Sequence, residues 1–159
     1  MELFCALRVR RGDVIALVGG GGKTSAMLRL GDELAGQGWR VVSTTSTRLG
    51  ADQVARVPHA IVQGANLRPL TRPHTLLVGP IMPQTNKASG LNPTLIDRIP
   101  GLLGADALVN EADGARALPF KAPAEHETVI TPGTTLVVPV VGVYPAPRSL
   151  CCLRLVLRL

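Results

Sequence analysis

Residues 14–25 read VIALVGGGGKTS. The first five are apolar, a short unbroken run of the kind that forms a strand buried on both faces of a parallel sheet. Four glycines follow, Gly19, Gly20, Gly21 and Gly22, then Lys23, Thr24 and Ser25. A triphosphate can be held without a side chain for every oxygen only if backbone N–H groups converge on it. Glycine permits that approach, because it tolerates positive φ and has no Cβ. A helix starting at Lys23 would add its N-terminal dipole. In that setting Lys23 reaches the β and γ phosphates, the Thr24 hydroxyl ligates Mg²⁺, and Ser25 sits in the first turn. The pattern GxxxxGK[ST] begins five residues before Gly22, where Leu17 stands here in place of glycine. That position belongs to the turn out of the strand, so the departure leaves the later cradle in place.

The flanking residues supply the rest of a βαβ unit. A strand is predicted over 13–18. From 23 to 35, Met27, Leu30 and Leu34 recur at i, i+3 and i+7 while Arg29, Asp32 and Glu33 fall elsewhere, which predicts an amphipathic helix stopped by Gly36 and Gly38. Residues 39–45, WRVVSTT, are rich in β-branched side chains and predict the second strand. A dinucleotide fold would need GxGxxG and an acid after that strand. Here it ends instead in Ser43, Thr44, Thr45 and Ser46. The hydroxyls of Thr44 and Thr45 are candidates for phosphate or Mg²⁺ contact, with bonding to their own backbone as the plainer alternative.

Further strands are predicted at 60–62, 75–79, 105–109 and 134–141, with a proline-bearing loop over 80–93 and a short helix over 94–103. Pro139 places the last strand at an edge or a bulge. Strands alternating with helices predict an α/β fold, a three-layer P-loop-like sandwich with a mostly parallel central sheet.

The segment NEADG, residues 110–114, closes the 105–109 strand. Alternate residues of a strand share a face, so Glu111 and Asp113 are expected on one side at the C-terminal end, where open α/β sheets bind their ligands. Asp113, nearer the end, is assigned to the Mg²⁺ shell with Thr24. Glu111 is assigned to orienting water, which makes Lys23, Glu111 and Asp113 the catalytic candidates. Arg116 is a candidate for stabilising phosphate charge. Asn86-Lys87-Ala88-Ser89 falls short of the guanine-reading NKxD because Ser89 stands at the aspartate position, so ATP, or another NTP, is the expected nucleotide.

Bulk properties narrow the partners. The chain has 159 residues and 46% hydrophobic content, enough for one compact domain. A net charge of +6 favours anionic ligands, but only 3% of residues are aromatic, which argues against single-stranded nucleic acid and its stacking platforms. Cys5, Cys151 and Cys152 form neither a metal spacing nor a disulfide framework, as expected in a reducing cytoplasm. The N-terminal stretch lacks the ordered regions of a signal peptide, and no apolar run approaches the ~20 residues of a membrane span.

VIALVGGGGKTS, VVSTTSTR and LVNEADGARALPFKAPAEHE together resemble the YqeC-type family of selenium-dependent hydroxylase accessory proteins. The resemblance runs from near the N-terminus to about Gly142. It implies a P-loop-like NTP-binding protein associated with maturation of selenium-dependent molybdenum hydroxylases, with a client hydroxylase or its cofactor as partner. By motif, the family's phosphate loop falls on Gly19 to Thr24, its threonine-rich strand end on Thr44 to Thr47, and its acidic motif on Glu111, Asp113 and Gly114. Its basic, proline-bearing loop falls on Arg116, Lys121 and Pro123. Asn110 departs from the apolar residue usual at its position. The end, PAPRSLCCLRLVLRL, fits no part of the family pattern and is read as a truncated or altered C-terminus. Residues 1–144 are therefore expected to form the nucleotide-binding domain and 145–159 an atypical tail. The leading expectation is a Mg²⁺-dependent ATPase. A non-hydrolysing nucleotide-responsive module and an ATP-dependent ligase are the alternatives.

Overall fold

A computed structural model describes residues 2–57, 60–62, 69–114, 130–142 and 157–158. Its main sheet follows the order β10-β9-β1-β8-β2-β5-β4. These strands are β1 (Val14–Gly19), β2 (Val41–Thr45), β4 (Ala60–Val62), β5 (His74–Val78), β8 (Ala107–Glu111), β9 (Leu136–Val140) and β10 (Leu157–Arg158). β10 runs antiparallel to β9, and the other pairings are parallel. A second, smaller sheet joins β3 (Leu49–Gly50), β7 (Lys87–Ala88) and β6 (Ile81–Met82). The helices are α1 (Leu3–Leu7), α2 (Lys23–Gly36), α3 (Ala51–Ala55) and α4 (Pro93–Leu103).

The two faces of the sheet follow the period of two along each strand. Ile15 and Leu17 of β1, Val41 of β2 and Val109 of β8 pack with Met27, Leu30 and Leu34 of α2, and Leu7 of α1 joins the same cluster. The intervening residues Val14, Val42 and Leu108 face the other way, against Ile96, Ile99 and Leu103 of α4. The result is an α/β sandwich of three layers with a mostly parallel centre. Met27, Leu30 and Leu34 are wholly buried, as their i, i+3, i+7 spacing requires. Truncating any one to alanine should cost roughly 2–5 kcal/mol.

Local signals explain the helix ends. Asn92 caps α4 by accepting the Thr94 N–H at 2.9 Å, Pro93 fills the first turn, and Gly104 closes it in the left-handed conformation. α1 was not evident in the sequence. Its first amides, those of Leu3 and Phe4, donate to the Glu33 carboxylate of α2, so a tertiary partner supplies its N-terminal cap.

Two expectations about order need correction. The two strands of the predicted βαβ unit are not neighbours, because β8 is inserted between β1 and β2 and pairs with both. The loop over 80–93 also carries structure, since β6 and β7 form a hairpin that pairs with β3. Pro139 sits in a strand flanked on both sides. However, β10 pairs only with Leu136 and Val137, so the proline lies past the last described pair on that side.

Candidate functional site

The glycine loop leaves the C-terminal end of β1, beside the middle strand β8, and enters α2 directly. Gly19 has φ +101° and Gly22 φ +97°, conformations that L side chains rarely adopt. The requirement at Gly19 is also steric, because a Cβ there would lie 2.7 Å from the Val140 carbonyl oxygen. The neighbouring Gly20 N–H donates to that same carbonyl at 2.7 Å, so the end of β9 braces the loop. Gly22 is the N-cap of α2 and brings no side-chain acceptor to the helix's first amides. Ser25 lies in the first turn, as expected.

Lys23 folds back over the loop it follows. Its Nζ donates to the carbonyls of Gly19 at 2.7 Å and Gly20 at 3.0 Å, and pairs with Asp113 Oδ1 at 2.8 Å. Lysine and aspartate are withdrawn from solvent, at 1% and 0% exposure. The other Asp113 oxygen, Oδ2, accepts the Gly19 N–H at 2.8 Å. Beside this pair the Thr24 hydroxyl donates to Glu111 Oε2 at 2.7 Å. Glu111 and Asp113 thus share the α2 side of the sheet, while Ala112 between them packs with Ala16 and Val18 on the other. Burial pushes the Glu111 carboxyl above its ordinary range. The Thr24 hydrogen bond and the Lys23 charge oppose that shift, and the Asp113 charge adds to it.

β2 contributes by holding β8. The Thr45 hydroxyl donates to the Glu111 carbonyl at 3.1 Å, and the Ser46 N–H reaches the same oxygen at 3.1 Å. The Thr47 N–H donates in turn to Thr45 Oγ1 at 3.0 Å. Thr45 therefore touches the backbone of an acidic candidate rather than the loop. Thr44 occupies the opposite face and donates to the Leu77 carbonyl at 2.8 Å, so the structure does not bring it to Lys23 or Thr24. Arg116, Lys121 and Pro123 lie outside the described residues.

A third polar cluster gave no signal in the sequence. His74 Nδ1 meets Asp32 Oδ1 at 2.7 Å, and its Nε2 meets the Ser43 hydroxyl at 2.9 Å. These are the residue types of a nucleophile triad, yet Ser43 is wholly buried in the middle of β2. A nucleophile must be reachable, so the cluster reads as a tie between α2, β2 and β5. Gly31 makes room for the imidazole, since a Cβ there would collide with the ring.

Comparison with known protein families matches residues 15–154 to the YqeC protein family. The chain belongs to that family. A curated Escherichia coli (strain K12) member, bearing the name Uncharacterized protein YqeC, is 34% identical over 140 residues, which cover 84% of this chain. The same alignment covers 53% of the relative, so the chain spans about half the length of the YqeC protein it matches. No solved structure matches. The YqeC match continues to residue 154, past Gly142, where the motifs alone ended the resemblance. It includes β1 from Ile15 onward, the glycine loop, both acids and β9. Among the described residues no helix is long and apolar enough to cross a membrane.

Proposed function

We propose that the chain binds the phosphates of a nucleoside triphosphate, with ATP the first candidate, and hydrolyses it with Mg²⁺ as an accessory factor in maturing selenium-dependent molybdenum hydroxylases. The observation that carries the nucleotide reading is the 2.7 Å bond between Thr24 of the loop and Glu111 at the end of the neighbouring strand. A loop hydroxyl beside a strand-end carboxylate is the donor pair that holds Mg²⁺ in P-loop NTPases. Both are hard oxygen donors suited to that ion. Glu111 rather than Asp113 is therefore assigned, with Thr24, to the ion. Mg²⁺ bound there would neutralise charge on the phosphates. Lys23 supplies the cation of the loop, and the amides at the start of α2 face a terminus without a side-chain cap. The hydroxylase client comes from the family resemblance.

One observation favours a second reading, a nucleotide-responsive module that does not hydrolyse. Both carboxylates are already engaged, Glu111 by Thr24 and Asp113 by Lys23 and Gly19, so neither stands ready to orient water. Melting and phosphate-release measurements separate the readings. Saturating Mg-ATP should stabilise the chain by about 2.7 kcal/mol at one hundred times its Kd. Phosphate release then supports the enzyme, and a shift without release supports the module. No shift with any nucleotide at millimolar concentration would sink both.

A further inference from the structure

We infer that the Asp113 carboxylate is an internal occupant of the glycine loop, an autoinhibitory contact that an incoming phosphate has to displace. The inference rests on the nucleotide reading above and concerns the regulation of that same site. One oxygen of Asp113 takes the Gly19 N–H and the other takes Lys23 Nζ, both at 2.8 Å. An amide of the glycine loop and the loop's own cation are the two kinds of group on which an anionic ligand relies there. The chain's own anion therefore holds donors that an external anion would use.

The charge of the lysine sets up the competition. An ammonium has three donors. In this structure Nζ donates to the Gly19 and Gly20 carbonyls and holds Asp113 Oδ1 as its ion-pair partner at 2.8 Å. A phosphate that takes Lys23 as its counter-charge competes with Asp113, the anion it resembles. Glu111 holds neither of these donors, since its described side-chain bond is to Thr24.

Displacement has a second consequence. Asp113 is fully buried, and an ionised carboxylate left there without its lysine is strongly disfavoured. Metal-free triphosphate brings more negative charge to the place where a negative charge has just lost its partner. A triphosphate arriving with a divalent cation brings compensation. The latch therefore discriminates against the uncomplexed nucleotide, and it does so through Asp113.

Calorimetric titration of the full chain with ATP, in EDTA and in excess Mg²⁺, tests this with the wild type, Asp113→Asn and Asp113→Ser. Both substitutions should bind metal-free ATP at least tenfold more tightly than the wild type, and the advantage given by Mg²⁺ should shrink. If the wild type binds Mg-ATP while neither variant gains affinity in EDTA, the latch is overturned and the loop remains a nucleotide site. If no chain binds ATP under either condition, the nucleotide reading falls and the latch with it. A readout on the wild type covers the case of unfolded variants. The Gly19 amide resonance should shift on saturation with Mg-ATP as its bond to Asp113 is lost, and a Gly19 signal unmoved while Mg-ATP binds overturns the inference.

Discussion

Thr24 Oγ1 donates a 2.7 Å hydrogen bond to Glu111 Oε2 across 87 residues of chain. The bond joins the first turn of α2 to the end of β8. The carboxylate it reaches is 7% exposed and is held by burial above the ordinary glutamate value of 4.5.

That raised value has a definite sign in stability. A carboxyl whose folded pKa exceeds its unfolded one contributes stability that is full below 4.5 and is lost as pH rises through the folded value. Glu111→Gln removes the titration. In urea unfolding without ligand, the variant should gain on the wild type as pH climbs from 4.5 toward neutrality, then hold a constant lead. Added Mg²⁺ should narrow the lead by stabilising the wild type alone. A lead that is absent at pH 7 would mean that burial does not govern this carboxyl.

Removing the loop lysine should harm the unliganded fold as well as any nucleotide binding. Lys23→Met leaves Asp113 buried beside two carbonyls with no cation, a change worth about 3–5 kcal/mol. Adding Asp113→Asn to the same chain should recover most of that loss, because the orphaned charge disappears. Chemical denaturation of the two single variants and the double variant gives the coupling directly. Additive losses would show that the 2.8 Å pair contributes nothing to stability.

Gly19→Ala tests the brace between the loop and β9. The new Cβ would meet the Val140 carbonyl at 2.7 Å in a backbone of φ +101°. Strain of this kind costs on the order of 1–3 kcal/mol. Gly12 also has positive φ, +90°, but an added Cβ there meets nothing within 4 Å. Gly12→Ala should therefore be the milder change in a thermal melt, and equal losses would assign the whole effect to φ.

Asn110 offers a substitution that should stabilise. Both its amide atoms are buried with no hydrogen-bond partner among the described residues, on the face of β8 opposite Glu111. Replacing an unsatisfied amide by the strand-forming valine should gain roughly 1–3 kcal/mol, seen as a higher denaturation midpoint. A loss on Asn110→Val would show that the amide has a partner in the working protein.

The parts of the fold carried by local pattern were legible. The apolar run before the glycines, the Met27, Leu30, Leu34 spacing and the WRVVSTT strand each produced their element within one or two residues. Strand order was not, since nothing in β1 or β2 announces that β8 will pass between them. The small sheet was invisible because strands as short as Leu49–Gly50 and Lys87–Ala88 have no period to detect. At the site, the sequence brought Lys23, Thr24, Glu111 and Asp113 together but paired Thr24 with Asp113, whereas Thr24 bonds Glu111 and Asp113 pairs with Lys23. It ended the strand at Val109, whereas β8 runs to Glu111, and that offset decides which carboxylate stands beside Thr24. The hydroxyls of Thr44 and Thr45 illustrate the same limit. They are adjacent in sequence, yet one donates to Leu77 and the other to Glu111, on opposite faces.

The insertion of β8 between β1 and β2 also governs the order in which the site can come into being. A nascent chain that has made only β1, α2 and β2 possesses the whole glycine loop but lacks the strand that should separate its two strands. Those strands have no bonds to make with each other in the final register. The central slot is filled only after a further stretch of chain has emerged, and long-range closure of this kind slows folding. Until then Lys23 has no Asp113 and Thr24 no Glu111. Acquisition of the loop's chemistry is thus tied to docking of the middle strand, and the motif exists in the chain before the site does.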